Sequence, residues 1–114
     1  MSSNHSLNAD QCLENCQRCY ETCLRIAMNH CLVMGGKHVE PSHFSLMIAC
    51  AKVCETSVAL QLSGSPFSAQ ICQVCADICT ACADSCEAIG DMDECVISCR
   101  TCAESCRHMA SEYH

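Results

Sequence analysis

The sequence predicts an all-α fold, an up-down-up-down antiparallel four-helix bundle with a cysteine-lined core. Three observations predict it. Apolar side chains recur every three or four positions over long segments, and nowhere does the chain alternate apolar and polar residues as a strand would. Each long segment is bounded by Gly, Pro, Ser or Asp, the residues that start and stop helices. The connections are short, so consecutive helices should lie side by side and antiparallel. The chain of 114 residues is expected to be one domain, 1–114, built around one core.

The first helix is expected from about Asn8 to Met34. Asn8 can cap it, with Gln11 three residues on, and Gly35-Gly36 ends it. The second starts near Pro41-Ser42 and ends by Ser63-Gly64. The third opens with Ser65 as N-cap and Pro66 at the first helical position, a favoured pairing, and stops at Gly90. The fourth opens with Asp91 and Glu94, a capping-box-like pair, and runs to near Tyr113.

Half of the residues are hydrophobic, but 16 of them are cysteine, with two Phe, two Tyr and no Trp. A core of large side chains is therefore thin. The net charge is −7 and no basic run exists, which argues against nucleic acid as a partner. The opening MSSNHSLNADQC has neither a basic nor an apolar signal region. Apolar runs are broken by charge or amide, so no membrane association is expected. A soluble cytoplasmic protein is the expectation, and cytoplasmic thiols are kept reduced. Such a cysteine density argues for metal or redox chemistry before disulfide staples.

The cysteines fall in stripes. At about 100° per residue, Cys12, Cys16, Cys19 and Cys23 lie within roughly 60° of one another, and so do Cys95, Cys99, Cys102 and Cys106. Cys72, Cys75, Cys79, Cys82 and Cys86 span about 80°. Cys50 and Cys54 share one face of the second helix, while Cys31 sits roughly 80–100° off the first stripe. These are the positions that face a bundle core.

One buried cysteine is a small hydrophobe. So many in register are not, because selection for packing would mix Leu, Ile and Val into the stripe. Disulfides are a second reading, of a stapled helical structural or interaction module. Thiols at i and i+3 or i+4 are poor partners for each other, so every bridge would have to run between helices within strict limits. The run C-x2-C-x3-C-x2-C-x3-C has helix spacing, unlike an iron–sulfur loop. Thioredoxin-type chemistry needs one reactive pair at a helix N-terminus. Structural zinc would use four or eight cysteines and leave many idle. A zinc or cadmium sink stays open as an alternative. A continuous rail of soft thiolates suits Cu(I), which accepts two or three sulfurs. The residues thus point to storage of multiple Cu(I) ions per monomer. Nothing resembles an enzyme: there is no catalytic triad, phosphate loop or paired catalytic carboxylate.

Beyond Cys23 the first stripe passes Ala27 and reaches His30 and Met34. On the second helix the stripe runs from Cys54 through Cys50 to Met47 and His43. These four side chains should converge at one end, with His38 and Met92 nearby. Imidazole and thioether bind Cu(I) more weakly than thiolate, so this end can act as a mouth for metal. The other end continues as Ser57 and Gln61, with Val58, Leu60, Leu62, Phe67 and Ile71 forming an expected apolar plug.

Ser65-Pro66-Phe67, then ICQVCADICTACADSCE and ECVISCRTCAESCR, closely resemble the cysteine-rich four-helix-bundle copper storage proteins, specifically their cytosolic members. The resemblance covers nearly the whole chain and is strongest from Ser65 to Met109. It implies a homotetramer of bundles that store Cu(I) on inward cysteines, with His and Met ligands at an open end. A copper chaperone is a possible partner for delivery or removal. Val74, Ile78 and Ala81 form a second stripe facing away from the thiols, which is the sequence reason to expect self-association.

Overall fold

The computed structural model describes residues 3–112. Among the described residues there are four long helices: α1 (Ser3–Ile26), α2 (Pro41–Leu62), α3 (Ser68–Ile89) and α4 (Asp93–Glu112). α1 is prolonged by a π-helical turn, Ala27–Cys31, and a last α turn, Leu32–Met34. A 3₁₀ turn, Gly36–Val39, leads into α2. α1 packs on α2 and α4, α2 on α3, and α3 on α4, which gives the expected up-down-up-down square. The bundle is a rod of 50 × 20 × 19 Å.

Helix ends differ from expectation at four places. α1 already runs through Asn8, which caps nothing and instead meets the His108 ring on α4 (Asn8 Nδ2 to His108 Nε2, 3.2 Å). α3 begins at Ser68, because Ser65 spends its hydroxyl locally on the Phe67 N–H (3.0 Å) and closes a tight turn. α4 begins at Asp93, because Asp91 sits in the left-handed region (φ 57) that Asp tolerates in turns. Its expected end near Tyr113 lies outside the described residues. Gly90 (φ 88) makes the reversal between α3 and α4 in a conformation that side chains resist.

The π turn is the fourth difference. Opening the helix beyond about 3.6 residues per turn takes back roughly 80–100° of rotation. That is the angle by which Cys31 was expected to miss the stripe. Cys31 is consequently buried, and the residues expected to follow the stripe turn outward: His30 is half-buried and Met34 is 55% exposed.

The core is made of sulfur and alanine. Every cysteine is at 0 or 1% exposure, alongside Ala27, Ala51, Ala76, Ala83, Ala103 and Ala110. Ile26 and Val53 are the branched aliphatics buried with them. Against expectation, α2 is long and apolar enough to cross a membrane by length and composition, with a mean hydropathy of 1.3. Lys52 and Glu55, paired at 3.0 Å on its surface, are too few to break the run. Its buried face is the thiol rail of a bundle core. The expected apolar plug also differs. Leu62 and Phe67 are 69% and 61% exposed, and Gln61 and Met109 occupy that end instead, beside an open cleft of about 370 Å³.

Candidate metal centre

The thiols form one column along the bundle axis. Most of the sulfurs have several near-equivalent neighbours. Cys50 Sγ stands 3.7 Å from Cys19, 3.7 Å from Cys23, 3.6 Å from Cys79 and 3.7 Å from Cys99. Cys54 Sγ is 3.7 Å from both Cys75 and Cys79 and 3.8 Å from Cys102. A disulfide needs about 2.05 Å and one partner per sulfur. All sixteen thiols are free, and their separations are instead those of donors around a shared cation. A tetrahedron with about 2.3 Å metal–sulfur bonds has edges of about 3.8 Å.

Sulfur quartets overlap along the axis. Cys16, Cys75, Cys102 and Cys106 all lie within 4.8 Å of one another. So do Cys54, Cys75, Cys79 and Cys102, then Cys19, Cys50, Cys54 and Cys79. Cys19, Cys23, Cys50 and Cys99 follow, and then Cys23, Cys82, Cys95 and Cys99. Each quartet shares two sulfurs with the next. These five draw on twelve sulfurs, where closed and separate tetrahedral sites would need twenty. An ion that accepts bridging thiolates and low coordination fits this arrangement. A series of closed structural zinc sites does not.

Charge is distributed unevenly within the column. The thiol of Cys16 is held down at about 5 by the S–H of Cys102, then by Cys106. Cys95 is likewise held at about 5, chiefly by Cys23. Cys106 is pushed well above the ordinary thiol range by its sulfur neighbours, Cys102 first. Cys86 is pushed up by Cys82 and Cys95. The column thus mixes thiols drawn towards the thiolate with others that hold their protons until a cation replaces them.

Met47 caps the column at one end. Its Sδ lies 3.4 Å from Cys86, 3.7 Å from Cys82 and 3.7 Å from Cys95. Just outside it, Cys31 Sγ faces His43 Nε2 at 3.8 Å, and His43 Nδ1 meets Ser85 Oγ at 2.8 Å. Burial lowers the His43 pKa below the ordinary imidazole value, so the ring is neutral and can ligate. Burial likewise raises Cys31. The Ser85 contact fixes which ring nitrogen faces the thiol, as outer partners of metal-binding histidines do. His38 and Met92 are buried at the same end, at 6% and 2% exposure. Of the expected mouth, the fold brings His43 and Met47 onto the column. His30 stands further out and Met34 lies on the surface.

At the other end the sulfurs meet oxygen and amide. Ser57, fully buried, accepts from Cys16 Sγ at 3.6 Å and lies 3.9 Å from Cys72. Gln61 Nε2 donates to Cys12 and Cys16 at 3.7 Å and to Ser57 Oγ at 3.0 Å. Both residues continue the α2 stripe, but the sequence gives no sign of these bonds. Ser85 carries no sequence signal either, since its role depends on where His43 lands across the bundle.

A family described as copper storage protein matches residues 5–111. The crystal structure of the Nmul_A1745 protein of Nitrosospira multiformis is 56% identical, with a TM-score of 0.92 over 94% of this chain and 98% of that one. The Cu(I)-bound copper storage protein BsCsp3 is 34% identical, with a TM-score of 0.84 over 90% of this chain and 98% of that one. The apo Csp3 of Bacillus subtilis is 35% identical, with a TM-score of 0.74 over the same shares. The uncharacterized cysteine-rich protein YhjQ of Bacillus subtilis (strain 168) is 36% identical over 73 residues, which are 60% of this chain. The chain spans 63% of that relative's length.

Proposed function

The chain belongs to the copper storage protein family, and from that premise we propose that it stores multiple Cu(I) ions on the thiolates of its core. The observation that carries this is the overlap of sulfur quartets into one column. Soft, bridging thiolates select a soft monovalent ion. The sixteen cysteines, from Cys12 to Cys106, are the proposed ligands, Cys31 among them. His30, Met34, His43 and Met47 are proposed as weaker ligands of the mouth. Of these, His43 and Met47 pass metal directly to Cys31, Cys86 and Cys95. The family is one of storage proteins rather than enzymes, and residues 1–114 act as one storage domain.

Anaerobic titration of the reduced apo-protein with Cu(I), against a strong Cu(I) chelator, tests this. Many ions per chain, held through gel filtration, are expected. Uptake of two or fewer would overturn storage, and a preference for Zn(II) or Cd(II) in direct competition would favour the divalent sink.

We place this chemistry in the cytoplasm, where thiols stay reduced. Cell fractionation tests that placement. Self-association into a homotetramer is supported by the apolar stripe on α3, where Val74 is 46% exposed and lines a groove with Leu60, Phe67 and Ile71. Sedimentation should give a tetramer, and Val74→Lys should dissociate it. A copper chaperone as donor is tested by the transfer rate. That rate should exceed the chaperone's spontaneous release of copper.

A further inference from the structure

At the end of the bundle away from the mouth, one side chain stands between the sulfur column and an open cleft of about 370 Å³. Among the described residues the cleft lining includes Gln61, Met109, Ala9, Ala69, Ser65 and Ser68, and no charged side chain. Its size falls within the range of small-molecule sites, about 300–1,000 Å³. Gln61 separates it from the thiols, with Nε2 at 3.7 Å from both Cys12 and Cys16 and at 3.0 Å from Ser57 Oγ. A side-chain amide has two hydrogens, and here three acceptors compete for them. Sulfur is a weak acceptor, so a swing of Gln61 gives up one good hydrogen bond, the one to Ser57. Directly behind it the sulfurs are close-set: Cys106 lies 3.4 Å from Cys16 and 3.7 Å from Cys12.

Distance favours this end for the last sulfurs. From Cys12 to Cys23 α1 rises roughly 16 Å. An ion held at Cys12 and Cys16 therefore crosses most of the column to leave past Met47, which is itself fully buried. Through the cleft it passes one half-buried side chain. The lining sets what can enter. Ser65 and Ser68 spend their hydroxyls on the backbone, at the Phe67 N–H (3.0 Å) and the Leu60 carbonyl (3.1 Å). A charged ligand finds no counter-charge there, and burying it unpaired is costly. Met109 is the one sulfur-bearing side chain of the lining, a soft and adaptable contact. A small uncharged thiol suits these walls, and its sulfur matches the softness of Cu(I).

We propose that the far-end cleft is a second access to the sulfur column, with Gln61 as its gate and a small uncharged thiol as its ligand. The thiol removes metal by ligand exchange. It binds Cu(I) as the thiolate, its proton passes to the cysteine sulfur that the ion leaves, and no electron is transferred. The proposal rests on the storage reading for its cargo, while the passage itself does not depend on it.

The passage is tested without copper. Reduced apo-protein is labelled sub-stoichiometrically with iodoacetamide, and the label is located by peptide mass spectrometry. Cys12 and Cys16 should react at least tenfold faster than Cys50 and Cys54 in mid-column. Gln61→Ala should speed their labelling a further tenfold, and Ala69→Phe, which fills the cleft, should slow it tenfold. Neither should change Cys31 at the mouth, and Cys50 and Cys54 in the same sample report any loss of fold. The exchange is tested on copper-loaded protein whose Cu(I) is counted first, so a failure of storage shows before any thiol is added. Transfer of Cu(I) to bicinchoninate should be accelerated by 2-mercaptoethanol, more in Gln61→Ala and less in Ala69→Phe. Equal reactivity of Cys12 and Cys50, or labelling of Cys12 and Cys16 that ignores both substitutions, would overturn the passage. Copper transfer indifferent to 2-mercaptoethanol would overturn its use for metal.

Discussion

Ser57 shows how a single side chain sets the length of the sulfur column. It is fully buried on the same α2 face as Cys50 and Cys54, one turn beyond Cys54. Its hydroxyl stands where a ligand sulfur could, 3.6 Å from Cys16 and 3.9 Å from Cys72. A hydroxyl is a hard, neutral donor and a poor ligand for Cu(I). The column therefore ends on α2 at Cys54, and Gln61 lends its amide hydrogens to the last sulfurs. Ser57→Cys replaces the hydroxyl oxygen by sulfur in a side chain of the same shape and should raise the Cu(I) capacity by about one ion per chain, since a sulfur at this point joins those of Cys16 and Cys72. Metal analysis after gel filtration reads this directly, and unchanged capacity would mean that the far-end sulfurs do not bind. Fold stability should change little, because Ser and Cys are near in volume and the lost Gln61 bond is a single one.

The π turn decides which residues of α1 reach the metal. With ordinary helical rotation the stripe from Cys23 would continue to His30 and Met34, and Cys31 would face outward. The extra residue in Ala27–Cys31 reverses this. Deleting Asn29, an exposed residue within that turn, should restore α-helical phase. Cys31 would then leave the core, and native-state alkylation should label it at least tenfold faster than in the parent chain. If Cys31 stays protected, the turn has re-formed and the register argument fails. This turn also marks where sequence reading stops. The stripes of α1, α3 and α4, with Cys50 and Cys54 on α2, are legible because fixed spacing alone puts fifteen of the sixteen cysteines on the axis, all but Cys31. The one mis-phased cysteine was the trace of the π turn, but an off-stripe residue has many readings until the backbone is seen. The starts of α3 and α4 were misjudged for a related reason. Ser65 and Asp91 are good cap residues that the fold uses in turns, and local propensity cannot tell these uses apart.

At the scale of the whole molecule, the core must serve two opposite states. Without metal it is a packed interior of small side chains, with Ile26 and Val53 as its branched aliphatics. Surface ion pairs add little: Arg100 reaches Asp84 at 3.0 Å and Glu87 at 2.8 Å, but all three are exposed. Cohesion then depends on keeping most thiols neutral. Cys86 and Cys106 have pKa values raised by neighbouring sulfurs, and Cys31 by burial. A group with a raised folded pKa stabilises the fold fully below its unfolded value, about 8.5 for a thiol, and loses that contribution as pH rises further. Each such group costs up to about 1.4 kcal/mol per pH unit above that value, so several together are decisive against a marginal fold. The apo-protein should therefore melt at a clearly lower temperature at pH 10 than at pH 8. The copper-loaded protein has already given up those protons, so its melting temperature should not fall over the same interval. It should fall instead in acid, where protons compete with the metal for thiolate. Circular dichroism melts of both forms at these two pH values decide the matter. An apo-protein indifferent to alkali would mean that its core thiols are already ionised, and the interior would need a resident cation to exist at all.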